Sequence, residues 1–246
     1  MQRIILTAID DNPRYQDYLR TFLASLEANS PGVCVLVWAV NCSKEFCEKL
    51  MYRRPGYVVL APKRENFNRA DAAHIRGEMI AEALQEGIKQ VAWIDADTLI
   101  RGGLAPLFED VEPGVLKVTH RPQQDVEYRK FQSGVYVVGN SPGIRRLIAY
   151  LKRKVAKHRE WYADQHYLYR GYKKYAKEFG IKLVSLERKW NDNHFGPESV
   201  IWHCAMKQKE SSDVWNGEEA RYRAVAQKAA RAGAGGDAGA DTQRAD

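Results

Sequence analysis

Asp95 and Asp97 follow an apolar run, Val91 to Ile94, in the stretch VAWIDADTLI. Successive side chains on a strand point to opposite faces, so acids two positions apart point to the same one. Two carboxylates aimed together at a strand end repel unless something positive lies between them. A divalent ion is the simplest answer, because Mg²⁺ and Mn²⁺ accept carboxylate oxygens and keep positions free for substrate phosphates. The plainer alternative is a solvated turn in which Asp97 caps the next segment.

The segments around the acids say what has to position them. RIILTAI (Arg3 to Ile9) reads as a buried first strand. Asp11-Asn12-Pro13 supplies a helix cap with proline in the first turn. Tyr15, Leu19, Phe22, Leu23 and Leu26 follow at helical spacing, and the Asn29 to Gly32 segment stops that helix. Strands are expected over Val33 to Val40, Tyr57 to Leu60 and Gln90 to Ile94, with a helix over Ala72 to Leu84 that Gly87 ends. Beyond the acids, Gly114 to Thr119 and Gly134 to Val138 are strand-like, Ser141-Pro142 caps a basic helix, and Trp161 to Phe179 is helical. Short strands are expected at Leu183 to Leu186 and Ser199 to His203. Alternating strand and helix predicts an open α/β sheet with a parallel core, in which ligands bind beyond the carboxyl ends of the strands. Asp95 and Asp97 stand at that location.

The 246 residues suit one large domain with ample core, at 45% apolar and 11% aromatic composition. No stretch has the length and apolarity of a membrane span, and the first residues meet acids too soon for a signal peptide. Cys34, Cys42, Cys47 and Cys204 show no CxxC pairing and read as reduced thiols, which favours a cytoplasmic protein. A metal pair at Cys42 and Cys47 lacks two further ligands nearby. The net charge of +7 is uneven: Ser141 to Trp190 holds 14 Lys+Arg against 4 Asp+Glu, a net of +10. Such a stripe suits an anionic partner, or simply a solvated helix face.

Four segments taken in order resemble glycosyltransferase family 8, the galactosyltransferase and glycogenin-like group of the GT-A class. WIDADTLI followed by GGLAPLFED resembles the family's DxD strand and the segment after it. FQSGVYVVGNS resembles its following strand, YADQHYL its DQ motif, and KWNDNHF with SVIWHCAMKQK its closing segment. The resemblance implies a Rossmann-like GT-A open sheet (the nucleotide-diphospho-sugar transferase fold) with a short antiparallel element. That domain would span 1–210, followed by a C-terminal helix at 211–230 and a disordered tail at 231–246.

The resemblance also implies roles. Asp95, Asp97 and His203 would hold Mn²⁺ or Mg²⁺, the imidazole favouring manganese. Lys209, or Lys207 in its place, would meet the donor diphosphate together with Arg76. Ala8, Ile9 and Asp10 would cradle the nucleotide base, with Tyr15 as a stacking partner, although Tyr15 also fits a core position on its helix. Ala96, Ser133 and Gly134 would lie against the donor, and Asp164 and Gln165 would face the transferred sugar and the acceptor. The implied reaction moves a sugar from a UDP-sugar, with retention, onto a glycan, lipid-linked or protein acceptor. The sequence departs from the family pattern in two places. DQHYLY lacks a second acid and an asparagine, and HCAMKQK lacks the glycine after the histidine and Pro-Trp after the lysine.

Three other readings compete. A DxD phosphatase wants Thr or Val where Leu99 stands, and wants the motif on its first strand. A sugar-phosphate nucleotidyltransferase wants a glycine-rich basic signature after the first strand, where AIDDNPRYQ supplies none. A nucleic-acid or anionic-surface binding module would use the basic segment, with Trp161, Tyr162, Tyr167, Tyr169, Tyr172 and Tyr175 as stacking groups among the cations. Peripheral contact between that basic face and an anionic membrane is compatible with the enzyme.

Overall fold

The computed structural model describes residues 2–51, 56–65, 67, 69–158, 160–203 and 206–234. Strands β1 (Arg3–Ile9), β2 (Val35–Ala39), β3 (Tyr57–Leu60) and β4 (Gln90–Ile94) alternate with helices α1 (Pro13–Asn29), α2 (Lys44–Met51) and α3 (Arg69–Gln85). A two-residue strand β5 (Leu99–Ile100) comes next, then β6 (Val115–His120), β7 (Phe131–Gly139), α4 (Pro142–Val155), α5 (Ala163–Phe179) and β8 (Lys182–Ser185). The described chain closes with β9 (Ile201–Trp202), α6 (Met206–Glu210) and α7 (Asp213–Ala234).

Seven strands form one sheet in the order β3-β2-β1-β4-β7-β6-β8. The pairs from β3 to β4 are parallel, while β7 runs antiparallel to both β4 and β6. The chain winds outward from β1 to β3, then returns through α3 to place β4 on the other side of β1. That reversal opens a crevice at the carboxyl ends of β1 and β4, the usual ligand position in open α/β sheets. Two apolar clusters cover the sheet. Ile5, Leu19, Phe22, Val37 and Phe46 belong to the one beneath α1 and α2. Leu6, Met79, Ile80, Leu147 and Leu168 belong to the one beneath α3, α4 and α5.

Local chemistry sets the helix ends. The Asn12 side chain accepts from the backbone N–H of Arg14 with Pro13 in the first turn, and Ser141 Oγ accepts from Ile144 N–H ahead of α4. Helix α5 stops at Gly180, whose φ of 64° is left-handed, a conformation glycine adopts without steric cost.

Strands β1, β3 and β4 have the expected bounds, and β7 extends beyond Gly134 to Val138 in both directions. Helix α2 is not among the expected elements. It buries Phe46, Cys47 and Leu50, and Ser43 Oγ caps Phe46 N–H. The expected C-terminal helix begins at Asp213 and packs Trp215 and Tyr222 against Ala24, Leu99 and Trp202. It also runs on to Ala234, so the first residues of the expected tail are helical, in keeping with the helix propensity of alanine in AARAGA. The rest of that tail, 235–246, lies outside the described residues, as does Cys204. Cys34, Cys42 and Cys47 are free thiols. Among the described residues no helix is long and apolar enough to cross a membrane.

Candidate metal centre and donor cavity

Side chains of one strand face build the first half of the site. Trp93 and Asp95 share a face of β4 and its extension, and Trp93 Nε1 donates to Asp95 Oδ1 at 2.6 Å. Arg76, on α3, lies with its guanidinium 4.9 Å from the Trp93 ring centroid and donates to the same Asp95 Oδ1 at 2.6 Å. Its other terminal nitrogen donates to Asp164 Oδ2. Asp164 occupies the first turn of α5, where the helix dipole favours an acid. The arginine thus bridges two carboxylates of different elements, with 11% of its side chain exposed.

The second half depends on a strand pair distant in sequence. Strands β5 and β9 are antiparallel, with Leu99 opposite Trp202 and Ile100 opposite Ile201. Extending that register by one step delivers His203 to the two acids. His203 Nε2 stands 3.5 Å from Asp95 Oδ2 and 3.5 Å from Asp97 Oδ1. One ligand atom each from Asp95, Asp97 and His203 lie within 4.8 Å of one another, and no other such group of three or more metal-ligating side chains occurs among the described residues.

Each carboxylate divides its oxygens between two tasks. Asp95 Oδ1 takes Arg76, and Asp97 Oδ2 takes Lys209 Nζ at 2.7 Å. Their remaining oxygens, Asp95 Oδ2 and Asp97 Oδ1, both face the imidazole. The imidazole is oriented in turn, because Nδ1 lies 3.0 Å from Asn191 Oδ1. An amide oxygen only accepts, so Nδ1 carries a proton, and Nε2 is the ring nitrogen that faces the two acids. Two carboxylate oxygens and one imidazole nitrogen, converging here, form a donor set that fits a divalent transition ion.

Burial and charge act against each other here. Burial raises the Asp95 pKa, with Arg76 and His203 pulling the other way. For Asp97 burial would also raise it, but Lys209 and His203 outweigh that and hold the carboxyl well below its usual range. Burial alone would weaken the charge on Arg76, yet Asp164 and Asp95 keep it firmly protonated.

A cavity of about 230 Å³ opens beside the acids. Of the residues expected at a donor site, Ala8, Ile9, Asp10 and Tyr15 line it from the end of β1 and the start of α1. Arg76, Asp95, Ala96, Asp97 and Asp164 line it as well. Four other lining residues, Phe67, Ile75, Trp93 and Trp161, are not among those expected at a donor site. Trp93 was legible as the partner two positions before Asp95 on the same strand face.

Other expected residues stand elsewhere. Lys209 is 2% exposed and does not line the cavity; its ammonium is held by Asp97 and lies 4.7 Å from the Trp215 ring centroid. The lysine expected at the diphosphate is thus paired with Asp97, which lines the cavity. Gln165 lines a separate neighbouring cavity. Ser133 is buried and lines neither. The Lys207 side chain lies outside the described residues. Gly134 is explained by the protein itself: a Cβ there would lie 2.1 Å from His203 Cε1 and 3.0 Å from Asp95 Oδ2. The glycine therefore makes room for the imidazole and the acid, a nearer reason than close approach of a sugar.

The stacking surface required by a nucleic-acid reading is largely internal. Tyr167 and Tyr175 are buried, and Tyr169 and Tyr172 pack against the same core. Trp161 alone of the six is among the exposed large hydrophobic residues.

No protein-family model matches the chain, and no curated protein matches it. Among solved structures, its fold is that of several glycosyltransferases. Galactosyltransferase LgtC, in a complex with donor and acceptor sugar analogues, aligns with a TM-score of 0.64 at 17% identity, over 92% of this chain and 95% of its own. Glycosyltransferase GlyE of Streptococcus pneumoniae TIGR4 gives 0.64 at 18% identity, over 95% of this chain and 64% of GlyE. The apo structure of the bifunctional glycosyltransferase WbbM gives 0.65 at 15%, over 94% of this chain and 51% of WbbM. At such identities the likeness is one of fold, and it agrees with the GT-A-like α/β architecture expected from the sequence.

Proposed function

We propose that this protein is a metal-dependent glycosyltransferase that moves a sugar from a UDP-sugar, with retention, onto a hydroxyl of an acceptor. The observation that carries the reading is the convergence of Asp95, Asp97 and His203 beside a cavity at the carboxyl ends of β1 and β4. The fold shared with LgtC, GlyE and WbbM supports it.

Charge balance supports a diphosphate as the natural occupant. Asp95, Asp97 and Asp164 bring three negative charges, while Arg76 and Lys209 return two positive ones. The apo site is therefore net negative and suited to a cation. A divalent ion reverses that sign, and the pocket then favours an anion.

When bound to Asp95, Asp97 and His203, the ion, Mn²⁺ ahead of Mg²⁺ because of the imidazole, supplies Lewis-acid stabilisation to the leaving diphosphate. The chain's own residues do the rest. The end of β1, with Asp10 and Tyr15, receives the nucleotide base. Arg76 holds Asp95 in register and adds positive charge where negative charge grows. Asp164, fixed by Arg76, faces the transferred sugar and balances positive charge developing at its anomeric carbon. The anomeric C–O bond to the diphosphate breaks, the acceptor hydroxyl forms the new bond, and its proton leaves on the departing phosphate. No separate general base is needed.

Thermal melting with UDP, with and without Mn²⁺, tests the reading. A ligand at one hundred times its dissociation constant adds about 2.7 kcal/mol to the native state, which raises the midpoint by a few degrees. The expected rise requires both UDP and Mn²⁺ and disappears in Asp97→Asn. Absence of a rise with any nucleoside diphosphate plus metal would overturn the assignment.

A further inference from the structure

A second cavity, of about 390 Å³, adjoins the donor cavity and shares Trp161 with it. The first turn of α5 faces both, since Asp164 lines the first and Gln165 the second. Three chemical features distinguish its lining. Aromatic surface comes from Trp161, 67% exposed, whose ring is held edge-on to Tyr128 at 6.2 Å between centroids. Tyr128 is itself stacked on Tyr162 at 4.2 Å. Planar amides come from Gln165 and Gln132, and Gln132 Oε1 is buried with no hydrogen-bond partner among the described residues.

Positive charge is the third feature. Arg121 and Arg129 both line this cavity, and among the described residues neither is paired with a carboxylate. Elsewhere in the site cations are matched, as Arg76 is by Asp95 and Asp164. Burial, then the nearby Arg188, lowers the Arg121 pKa, so an incoming anion would relieve a repulsion already present. Rigid aromatic faces and planar amides suit a saccharide, and unmatched guanidiniums suit an anionic substituent that they grip by charge-assisted hydrogen bonds.

We propose that this cavity is the acceptor subsite and that the acceptor is a saccharide bearing an anionic group, a phosphate or a carboxylate, held by Arg121 and Arg129 while Trp161 stacks on its ring. The proposal rests on the glycosyltransferase reading above and names the acceptor class that the reading leaves open.

Calorimetric titration of the full chain with Mn²⁺ and UDP, using glucose 6-phosphate, glucuronate and glucose as probes, tests it. The two charged sugars are expected to bind at least about tenfold more tightly than glucose, the scale of one charge-assisted hydrogen bond. Arg121→Gln/Arg129→Gln should erase that preference, and Trp161→Ala should weaken all three. Whichever charged sugar binds more tightly identifies phosphate or carboxylate as the substituent. Equal binding of all three sugars, no binding of any, or a preference that survives in the double variant would overturn the proposal. So would inorganic phosphate binding as tightly as glucose 6-phosphate, since the aromatic wall would then contribute nothing. The UDP-dependent rise in melting midpoint is read on the same samples. Its loss in the wild type would indict the donor site, and its presence with failed sugar binding would indict the acceptor subsite alone.

Discussion

Asn191 Oδ1 lies 3.0 Å from His203 Nδ1, and this one contact determines which nitrogen of the imidazole can bind a cation. Asn191 is 2% exposed and follows Trp190 at the end of a short helical turn, so its amide has little freedom to move away. Asn191→Ala should leave the fold intact while weakening Mn²⁺ affinity about 10- to 100-fold, the usual effect of removing a partner behind a metal-binding histidine. Asn191→Asp, which keeps an accepting oxygen, should recover most of the affinity. Mn²⁺ titration of both variants checks this; equal loss in the two would mean that Asn191 only fills space.

Gly134 offers a steric test of the same centre. The register of β4 against β7 sets Ile94 opposite Val135, and Asp95 N–H donates to Gly134 O at 2.9 Å, so the glycine lies directly beside the ligand group. The Cβ of an alanine would sit 2.1 Å from His203 Cε1, too near for any side chain to remain in place. Gly134→Ala should cost about 1–3 kcal/mol in stability, as overpacking does, and should abolish Mn²⁺-dependent binding of UDP. Chemical denaturation gives the first quantity and the melting assay the second. A variant that binds UDP and Mn²⁺ as the wild type does would show that His203 is not held where the site needs it.

Lys209 links the C-terminal segment to the acids. It reaches Asp97 from α6, and Arg14 of α1 pairs with Glu210 of the same helix at 2.5 Å. Lys209→Met keeps much of the side-chain volume but leaves Asp97 without its cation. Breaking a buried pair in this way costs about 3–5 kcal/mol, and the lower end applies because Asp97 is 24% exposed. Mn²⁺ can replace the missing charge, so the variant's melting midpoint should rise more with Mn²⁺ than that of the wild type. Equal rises would separate Lys209 from the metal centre.

Much of this architecture was legible in the chain because it is local. Pro13 behind Asn12 and Pro142 behind Ser141 announce two helices, and the alternation of Trp93, Asp95 and Asp97 announces a shared face. Asn191 stands in the KWN motif, yet its action on His203 depends on a packed geometry that spacing alone does not encode. The resemblance points to Lys209, but its partner cannot be read without the path of the chain between β9 and α6. Gly134 shows the same limit, since its neighbour His203 arrives from a strand pair closed only in the folded state. Helix α2 carries no such signal, because its apolar positions, Phe46, Cys47 and Leu50, are too few to establish a period.

The loop that delivers His203 has its own acid sensitivity. Asp192 is 1% exposed and accepts from Ser199 Oγ at 2.6 Å, Gly196 N–H at 2.7 Å, His194 N–H at 2.9 Å and Arg188 Nε at 3.0 Å. Its own carbonyl accepts from His203 N–H at 2.8 Å. Burial alone would raise its pKa, but these donors prevail and lower it from 3.8 to about 2. A depressed folded-state value means that the carboxylate stabilises the native state fully above the unfolded value. That contribution is lost as the pH falls from about 4 through about 2. It amounts to roughly 2 kcal/mol at neutral pH. Stability measured by urea unfolding should therefore decline across this window in the wild type, beyond what other carboxylates contribute. Asp192→Asn should be less stable at neutral pH and decline less steeply in acid, so that the two curves converge toward pH 2. Parallel curves would show that the Asp192 network does not hold the loop.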